Sequence, residues 1–272
     1  MSIKLSSPST QQFWELSVLY EDDHLLALDK PAGLLSVPDK EHFDQTDSPN
    51  LLELLHKAIA DAKPWAREHG LSFVINVYTL EQQTSGVLLL AKSRPVLNAL
   101  SDLFGSEQSN LTFVTLVRGV PAENLFSVNA KLAPHPVQPG LMRASAKFGK
   151  RSRTDFEVIE RFSGWTLLKC LPLTHRPDQV RAHLTYARFP IAGDLPYGGK
   201  ALLLSMLKRD YHLKPKHTER PLIGSPCLHA EQLALNHPIT GEHFVIKAPW
   251  PKNLWVAVKY LRKYAAANET IT

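Results

Sequence analysis

Short apolar runs, each stopped by a turn, are the most regular feature of the N-terminal part of the chain. Residues 25–28 form one run, and Lys30-Pro31-Ala32-Gly33 stops it, because proline lacks a backbone donor and glycine permits unusual dihedral angles. Residues 16–38 are therefore predicted to form a strand pair followed by a turn. A second apolar run, at residues 87–90, predicts a buried strand.

Helical spacing of apolar residues occurs in several segments. Asn50 is a candidate N-cap for one helix, and Ser93 is a candidate N-cap for another that carries Pro95 in its first turn. Two further helices are predicted, one within residues 176–189 and one at the C-terminus carrying Leu254, Val258 and Leu261.

Further strands are predicted at residues 111–119, 154–162 and 164–173, and a hairpin at residues 229–249. Because strands and helices are interspersed in both halves, the pattern predicts one α+β domain with a broad sheet. We assign residues 1–17 to an N-terminal extension and residues 18–272 to this domain.

Composition narrows the functional class. The 272 residues are 44% hydrophobic and 21% charged, as in ordinary globular proteins, and no apolar stretch has the roughly 18 residues that a membrane helix needs. The N-terminus lacks a signal-peptide core, and Cys170 and Cys227 do not suggest a disulfide scaffold. A cytoplasmic protein without a membrane partner is therefore expected.

Charge and histidine content bear on the choice between an anionic partner and a metal site. With 31 Lys and Arg against 26 Asp and Glu, the net charge of +5 permits an anionic partner such as nucleic acid without establishing one. The 12 histidines form neither a His-Glu-x-x-His motif nor a close Cys/His cluster, so no metal site is predicted.

Short motifs in a fixed order connect the chain to a known family. In these motifs the sequence resembles the RluA-type pseudouridine synthases from about Val18 to the C-terminus. The motifs are "LYEDDHLLALDKPAGLLSVP", "TSGVLLLAK", "FVTLVRG", "HRPDQVRAHL", "GDLPYGG" and "LHAEQLALNHPITGE".

This resemblance implies a pseudouridine synthase-type fold, with a long, mostly antiparallel bent sheet, flanking helices and a central cleft. It implies isomerisation of uridine to pseudouridine in ribosomal or transfer RNA, without cofactor or metal, by a protein expected to be a monomer. The base must leave the stack, because this chemistry cannot occur inside a helix. The small N-terminal RNA-binding module of some members is expected to be absent.

The chain departs from the family pattern where the family has its catalytic residues. The motif His-Arg-Leu-Asp-x-x-Thr-Ser-Gly places the nucleophile at Glu81, and its His-Arg pair falls on Tyr78 and Thr79. Phe113 stands where tyrosine is usual. On the predicted helix, the family's Gly, Thr and His are replaced by His175, Pro177 and Asp178, whereas Arg176, Gln179, Arg181, His183 and Leu184 match.

Glu81, Phe113 and Arg181 are therefore the candidate catalytic residues, and Arg181 is expected to pair with Glu81 in the cleft and keep it ionised. Because several site positions differ together, weak or absent isomerase activity is predicted. A silent RNA-binding homologue is the alternative. A carboxylate-based hydrolase would need a second carboxylate, such as Asp178 or Asp194, beside Glu81.

Cations near the motifs are candidate RNA contacts, although a solvated basic loop is an equally good interpretation of those at residues 208–220. Lys30, Gly33 and Gly86 are also interpreted as turn residues that shape the cleft. The candidate RNA contacts are Lys30, Lys150, Arg151, Arg153, Arg176, Lys208, Arg209, Lys214 and Lys216.

Overall fold

The computed structural model describes residues 2–38, 49–106, 110–213 and 217–267. Two compact units divide the chain. The first unit comprises Met1–Leu111 and Ala230–Pro249, and the second comprises Thr112–His229 and Trp250–Thr272. Each unit is therefore built from segments that are far apart in sequence.

The secondary structure alternates between strands and helices along the chain. The strands are β1 (Ser2–Ser7), β2 (Gln12–Glu21), β3 (Leu25–Lys30), β4 (Ile75–Asn76), β5 (Ser85–Ala91), β6 (Asn110–Arg118), β7 (Leu125–Asn129), β8 (Lys131–Pro134), β9 (Met142–Ser145), β10 (Arg153–Phe162), β11 (Trp165–Pro172), β12 (Leu228–Asn236) and β13 (His243–Lys247). The helices are α1 (Leu51–Ala60), α2 (Pro64–Glu68), α3 (Arg94–Gly105), α4 (Gln179–Tyr186) and α5 (Lys252–Tyr264), with short 3-10 helices at Leu195–Tyr197 and Leu204–Met206.

The first unit contains a sheet in the order β1-β2-β3-β5-β12, with β13 beside β12 and β4 beside β5. β1 pairs with β2, β2 with β3 and β3 with β5, all antiparallel. β5 is buried along its whole length, as the apolar run at residues 87–90 predicts. The predicted hairpin at residues 229–249 is confirmed by the antiparallel pairing of β12 with β13.

The predicted caps of the first-unit helices are confirmed. The Asn50 side chain accepts a hydrogen bond from the Glu53 backbone N–H at 3.0 Å, and α1 begins at the next residue. Ser93 accepts from the Val96 N–H at 3.5 Å, and Pro95 lies in the first turn of α3. These side chains occupy donors that a helix N-terminus would otherwise leave unpaired.

The second unit contains a sheet in the order β6-β11-β10-β7, in which neighbouring strands are antiparallel. β8 and β9 form a separate antiparallel hairpin, which we call the β8–β9 hairpin. α5 buries Leu254, Val258 and Leu261, as predicted. Antiparallel sheets with flanking helices in both units confirm the predicted α+β class.

β1 is an element that the sequence prediction missed. The predicted extension, residues 1–17, contains β1 and the beginning of β2, which pair in register from Ser2 with Ser17 to Ser7 with Gln12. Ile3 and Leu5 are buried, while Lys4 and Ser6 are exposed. This alternation is the signal of a half-buried strand.

Candidate functional site

The loop that carries Glu81 is a tight turn in the first unit. The Thr84 backbone N–H donates to the Glu81 carbonyl at 3.0 Å, and the Thr84 hydroxyl donates to Glu81 Oε2 at 2.9 Å. Both bonds come from one residue, so the turn holds the backbone and the carboxylate of Glu81 together. Glu81 is partly exposed, whereas Thr84 is buried.

The turn after β3 fastens this loop from the other side. The Gly33 N–H donates to the Gln82 carbonyl at 2.7 Å. The Ser36 hydroxyl donates to the Leu80 carbonyl at 2.7 Å and accepts from the Leu80 N–H at 3.2 Å. Gly33 adopts a φ of 92°, which strains other residues, so glycine suits this turn. The predicted role of Gly33 as a turn residue agrees with this geometry.

Lys30 is fully buried behind the same loop. Its Nζ donates to the carbonyls of Leu34 at 2.6 Å, Pro31 at 3.2 Å and Gln82 at 3.3 Å. The assignment of Lys30 as an RNA contact is therefore corrected, because an ammonium enclosed by carbonyls cannot reach a phosphate. Burial lowers the pKa of Lys30 to about 7, while the charge of Glu81 acts in the opposite direction.

This pKa predicts an unusual dependence of stability on pH. Lys30 loses its proton near pH 7 in the folded protein, but only near about 10.4 in the unfolded chain. Between these values the unfolded chain binds more protons, so the contribution of Lys30 to the free energy of unfolding should rise with pH. Below pH 7 the contribution should be constant.

Urea unfolding at pH 7 and pH 9 measures this contribution, with Lys30→Met as the comparison. We expect the gain in stability from pH 7 to pH 9 to be smaller in Lys30→Met than in the wild type. Equal gains in the two proteins would show that Lys30 keeps an ordinary pKa in the folded state.

Gly86 allows close packing at the start of β5. Its φ is 109°, and a Cβ there would lie 2.2 Å from the Ala230 carbonyl oxygen of β12. A larger residue would therefore push β12 away from the strand that follows the Glu81 loop. This agrees with the prediction that Gly86 has a structural role.

Arg181 on α4 is the centre of a charged network in the second unit. Its Nε and Nη2 donate to the two oxygens of Asp194, both at 2.8 Å, and Nη1 donates to Asp178 Oδ1 at 2.6 Å. Asp194 is 0% exposed. The Tyr197 hydroxyl donates to Asp178 Oδ2 at 2.8 Å, and the guanidinium carbon lies 4.5 Å from the Tyr197 ring centroid.

This network bears on two of the predictions. Asp178 and Asp194 bind Arg181, so they act as charge partners rather than as the second carboxylate that a hydrolase would need. The pairing of Glu81 with Arg181 would join one residue from each unit, and it stays a prediction. Phe113 is 7% exposed on β6, where it lies opposite Cys170 of β11.

Comparison with known proteins now identifies the family. The family model described as RNA pseudouridylate synthase matches residues 24–186, which is more than half of the chain. The chain belongs to the RNA pseudouridylate synthase family. The matched range contains Glu81, Phe113 and Arg181, the predicted catalytic residues.

Curated relatives and solved structures agree with this family. The chain is 35% identical over 260 residues to the ribosomal large subunit pseudouridine synthase C of Escherichia coli K12, covering 94% of this chain and 74% of the relative. It is 34% identical over 263 residues to the protein of the same name from Salmonella typhi, covering 95% and 75%. Both relatives contain sequence beyond the matched region.

The solved structure of human RNA pseudouridylate synthase domain containing 4 matches with a TM-score of 0.66 at 19% identity, over 90% of this chain and 93% of that one. Human RNA pseudouridylate synthase domain containing 1 matches with a TM-score of 0.58 at 18% identity, over 93% and 97%. These likenesses confirm the predicted pseudouridine synthase-type fold.

Tyr78 supports the Glu81 loop from within, although the family has histidine in this place. Its hydroxyl donates to the Val87 carbonyl at 2.7 Å, and its ring centroid lies 5.1 Å from that of Phe104 on α3. Burial raises the pKa of this phenol. Thr79 is exposed and brings no cation to the position where the family has arginine.

His183, which matches the family motif on α4, is completely buried. Its Nδ1 lies 2.9 Å from the Thr154 hydroxyl, and its Nε2 lies 3.1 Å from both the Ser152 hydroxyl and the Ala130 carbonyl. Burial lowers the pKa of His183, which favours the neutral ring. His183 therefore fastens α4 to β10, to Ser152 just before it and to the Ala130 carbonyl between β7 and β8.

Most of the predicted RNA contacts in the described chain are available to solvent. Lys208 is partly exposed and lies 3.9 Å from Asp210, and Arg153 is bound to Asp155 at 3.0 Å. Lys214 and Lys216 lie outside the described residues. The exposed candidates are Lys150, Arg151, Arg153, Arg176 and Arg209.

Sequence reasoning missed three more cations and two loop supports. Lys131, Arg143 and Lys147 lie in or next to the β8–β9 hairpin. The absence of Asp and Glu from residues 124–154 could have indicated this basic segment. Ser36 and Tyr78 had no comparable signal, because a single serine or tyrosine does not reveal its backbone partners. No group of three or more His, Cys, Asp or Glu that could hold a metal occurs among the described residues.

Proposed function

We propose that the protein isomerises uridine to pseudouridine in large-subunit ribosomal RNA, with Glu81 in the place of the family's aspartate. The observation that carries this proposal is the anchoring of the Glu81 carboxylate, which Thr84 orients in a loop that Gly33, Ser36 and Lys30 fasten. The relatives named ribosomal large subunit pseudouridine synthase C support ribosomal RNA as the substrate.

The reaction moves no atoms into or out of the nucleotide. The bond between N1 and the sugar C1′ breaks, a bond between C5 and C1′ forms, and the proton on C5 is replaced by one on N1. A carboxylate can assist as a nucleophile: its oxygen bonds to C1′ as the N1–C1′ bond breaks, and that bond breaks in turn when C5 bonds to C1′. The freed carboxylate can then accept the C5 proton, while N1 takes up a proton. Glu81 is proposed for these steps on a uridine turned out of the RNA stack.

Arg181 and Phe113 are proposed to complete the site. A guanidinium beside the Glu81 carboxylate would favour its charged form, in which it can act as a nucleophile. The ring of Phe113 can stack on uracil, but it lacks the hydroxyl with which tyrosine could relay a proton.

Turnover is proposed to be slow. Glutamate carries its carboxylate one methylene further from the backbone than aspartate, and a misplacement of about 1 Å in a reacting group can cost about 100-fold in rate. Thr79 adds no cation to hold a phosphate or to fill the space left by the flipped base.

A second candidate function is RNA binding without isomerisation. The substitutions at Tyr78, Thr79 and Phe113 favour it. The Tyr78 hydroxyl already donates a hydrogen bond to the Val87 carbonyl, and Phe113 lacks a hydroxyl. The two functions differ in whether pseudouridine forms.

A test in cells separates them. The chain and its Glu81→Ala variant would be expressed in an Escherichia coli strain that lacks its large subunit pseudouridine synthase C, followed by mapping of pseudouridine in the large-subunit RNA. We expect new pseudouridine with the wild-type chain and none with the variant. Binding of the RNA without pseudouridine would contradict the proposed isomerase and establish the silent homologue.

RNA affinity is predicted to fall steeply with salt. Each phosphate that a cation neutralises releases counterions, with a log–log slope of roughly −0.7 to −0.9 per contact. Charge reversal of Lys150 and Arg151 together, or of Lys208 and Arg209 together, should weaken binding and flatten this slope. Filter binding of a large-subunit RNA transcript from about 50 to 200 mM salt measures both effects.

The matched control reverses Lys63 and Arg67, two exposed cations in and just before α2, which should leave the slope unchanged. A wild-type affinity that does not change with salt would contradict the RNA proposal. The predictions of a monomer, a cytoplasmic location and transfer RNA as a substrate stay predictions. No described helix is long and apolar enough to span a bilayer.

A further inference from the structure

A pocket of about 300 Å³ opens on the second unit between the β8–β9 hairpin and α4. Ala182 and Tyr197 line it and form a buried apolar cluster with Leu132, against which Leu141, Met142 and Ala144 pack. This volume lies at the lower end of the range in which proteins bind small organic groups. Glu81 belongs to the first unit and does not line this pocket.

The walls suit a flat aromatic group with polar edges. Tyr186 is 53% exposed and contributes a ring at the rim. His135, Gln138 and Arg143 also line the pocket and carry hydrogen-bonding groups. A nucleobase has a π face that stacks on apolar and aromatic side chains and an edge that exchanges hydrogen bonds with such polar groups.

The charge around the pocket indicates that the base belongs to a polyanion. Residues 124–154 contain no Asp or Glu. Cations follow one another along the sequence from the β8–β9 hairpin to the start of β10, and all but the half-buried Lys131 are exposed. Such a strip matches successive phosphates of a nucleic-acid strand better than the charge of a single small molecule. Its cations are Lys131, Arg143, Lys147, Lys150, Arg151 and Arg153.

The pocket wall is held rigidly. The Tyr197 hydroxyl, which donates to Asp178, accepts from the Met142 N–H at 2.9 Å, and this bond fixes β9 relative to the 3-10 helix. The Thr185 hydroxyl donates to the Tyr197 carbonyl at 2.9 Å and fixes α4 to the same residue. A site of this kind is shaped before its ligand arrives, which reduces the entropic cost of binding.

We propose that this pocket binds an unpaired nucleobase of the substrate RNA other than the target uridine, and so helps to select the site of modification. The inference rests on the proposed function, because it takes RNA as the substrate. It assigns recognition of a second base to the hairpin side of α4.

Binding of short synthetic RNAs tests the pocket directly. The RNA would be the large-subunit fragment that the wild-type protein binds, with each unpaired nucleotide replaced in turn by an abasic one. We expect one abasic position, apart from the target uridine, to weaken wild-type binding about tenfold or more, which corresponds to the loss of one stacked base.

Ala144→Phe fills the pocket from β9 and should bind the intact RNA about tenfold more weakly, without sensitivity to that abasic position. Val245→Phe is the control, because it also introduces a phenyl ring at an exposed strand position, and Val245 of β13 does not line the pocket. It should behave as the wild type. Tyr186→Ala is a second pocket variant, for use if Ala144→Phe does not fold. It removes an exposed ring and should also lose the sensitivity to that abasic position.

The proposal would be overturned if no single abasic position affects the wild type, or if the sensitivity survives in both pocket variants. The pocket is tested by RNA binding, whereas the proposed function is tested by pseudouridine formation. The two proposals can therefore fail independently. Position-specific binding without pseudouridine formation would refute the isomerase and support the pocket. Pseudouridine formation with an unresponsive abasic scan would refute the pocket alone.

Discussion

Replacement of Arg181 by methionine is expected to lower the free energy of unfolding by roughly 3–5 kcal/mol. The guanidinium binds both oxygens of Asp194, which is 0% exposed, and one oxygen of the buried Asp178. Methionine fills part of the same volume but leaves two carboxylates without their cation. Urea unfolding followed by circular dichroism measures the loss.

Two comparisons show whether the loss comes from the charge network. Arg176→Met removes an exposed arginine shortly before α4 and should change stability by no more than about 0.5 kcal/mol. Combining Arg181→Met with Asp194→Leu removes the deeper carboxylate as well and should recover part of the loss. A stability of Arg181→Met equal to that of Arg176→Met would contradict the structural role of this network.

Replacement of Glu81 by alanine is expected to reduce pseudouridine formation by at least about a thousandfold, because it removes the nucleophile. Glu81→Gln keeps the size and removes the charge, so it should be equally inactive. RNA affinity should change little, since the proposed phosphate contacts lie elsewhere. Single-turnover assays with excess protein separate the chemical step from binding.

Gln83→Ala is the matched control within the same turn, and it should keep wild-type turnover. If Glu81→Ala forms pseudouridine as fast as the wild type, Glu81 is not the nucleophile. Equal loss in Gln83→Ala and Glu81→Ala would indicate that the variants disturb the loop rather than the chemistry.

Local patterns predicted most of the elements because their physical causes are local. The caps at Asn50 and Ser93 and the buried run in β5 can each be read within a few residues. β1 was missed because its alternation is short and it precedes the region covered by the family motifs. The division of the chain into two units joins segments far apart in sequence, which periodicity does not reveal.

The sequence motifs nominate residues for the candidate site, but they do not give the contacts of those residues. The order of the motifs placed Glu81, Phe113 and Arg181, whereas the bonds of Arg181 to Asp178 and Asp194 depend on how α4 packs in the second unit. Lys30 shows most clearly that side-chain contacts cannot be predicted from local sequence. Its position after the apolar run at residues 25–28 is compatible with a surface turn, whereas its burial behind the Glu81 loop depends on tertiary packing.

Pseudouridine formation by the purified protein tests the central claim most directly. The protein would be incubated at stoichiometric concentration with a transcript of Escherichia coli large-subunit RNA, followed by nuclease digestion and mass spectrometry of the fragments. We expect pseudouridine to accumulate at a defined uridine with the wild-type protein and not with Glu81→Ala. Absence of pseudouridine from RNA that the folded wild-type protein demonstrably binds would contradict the proposed isomerase.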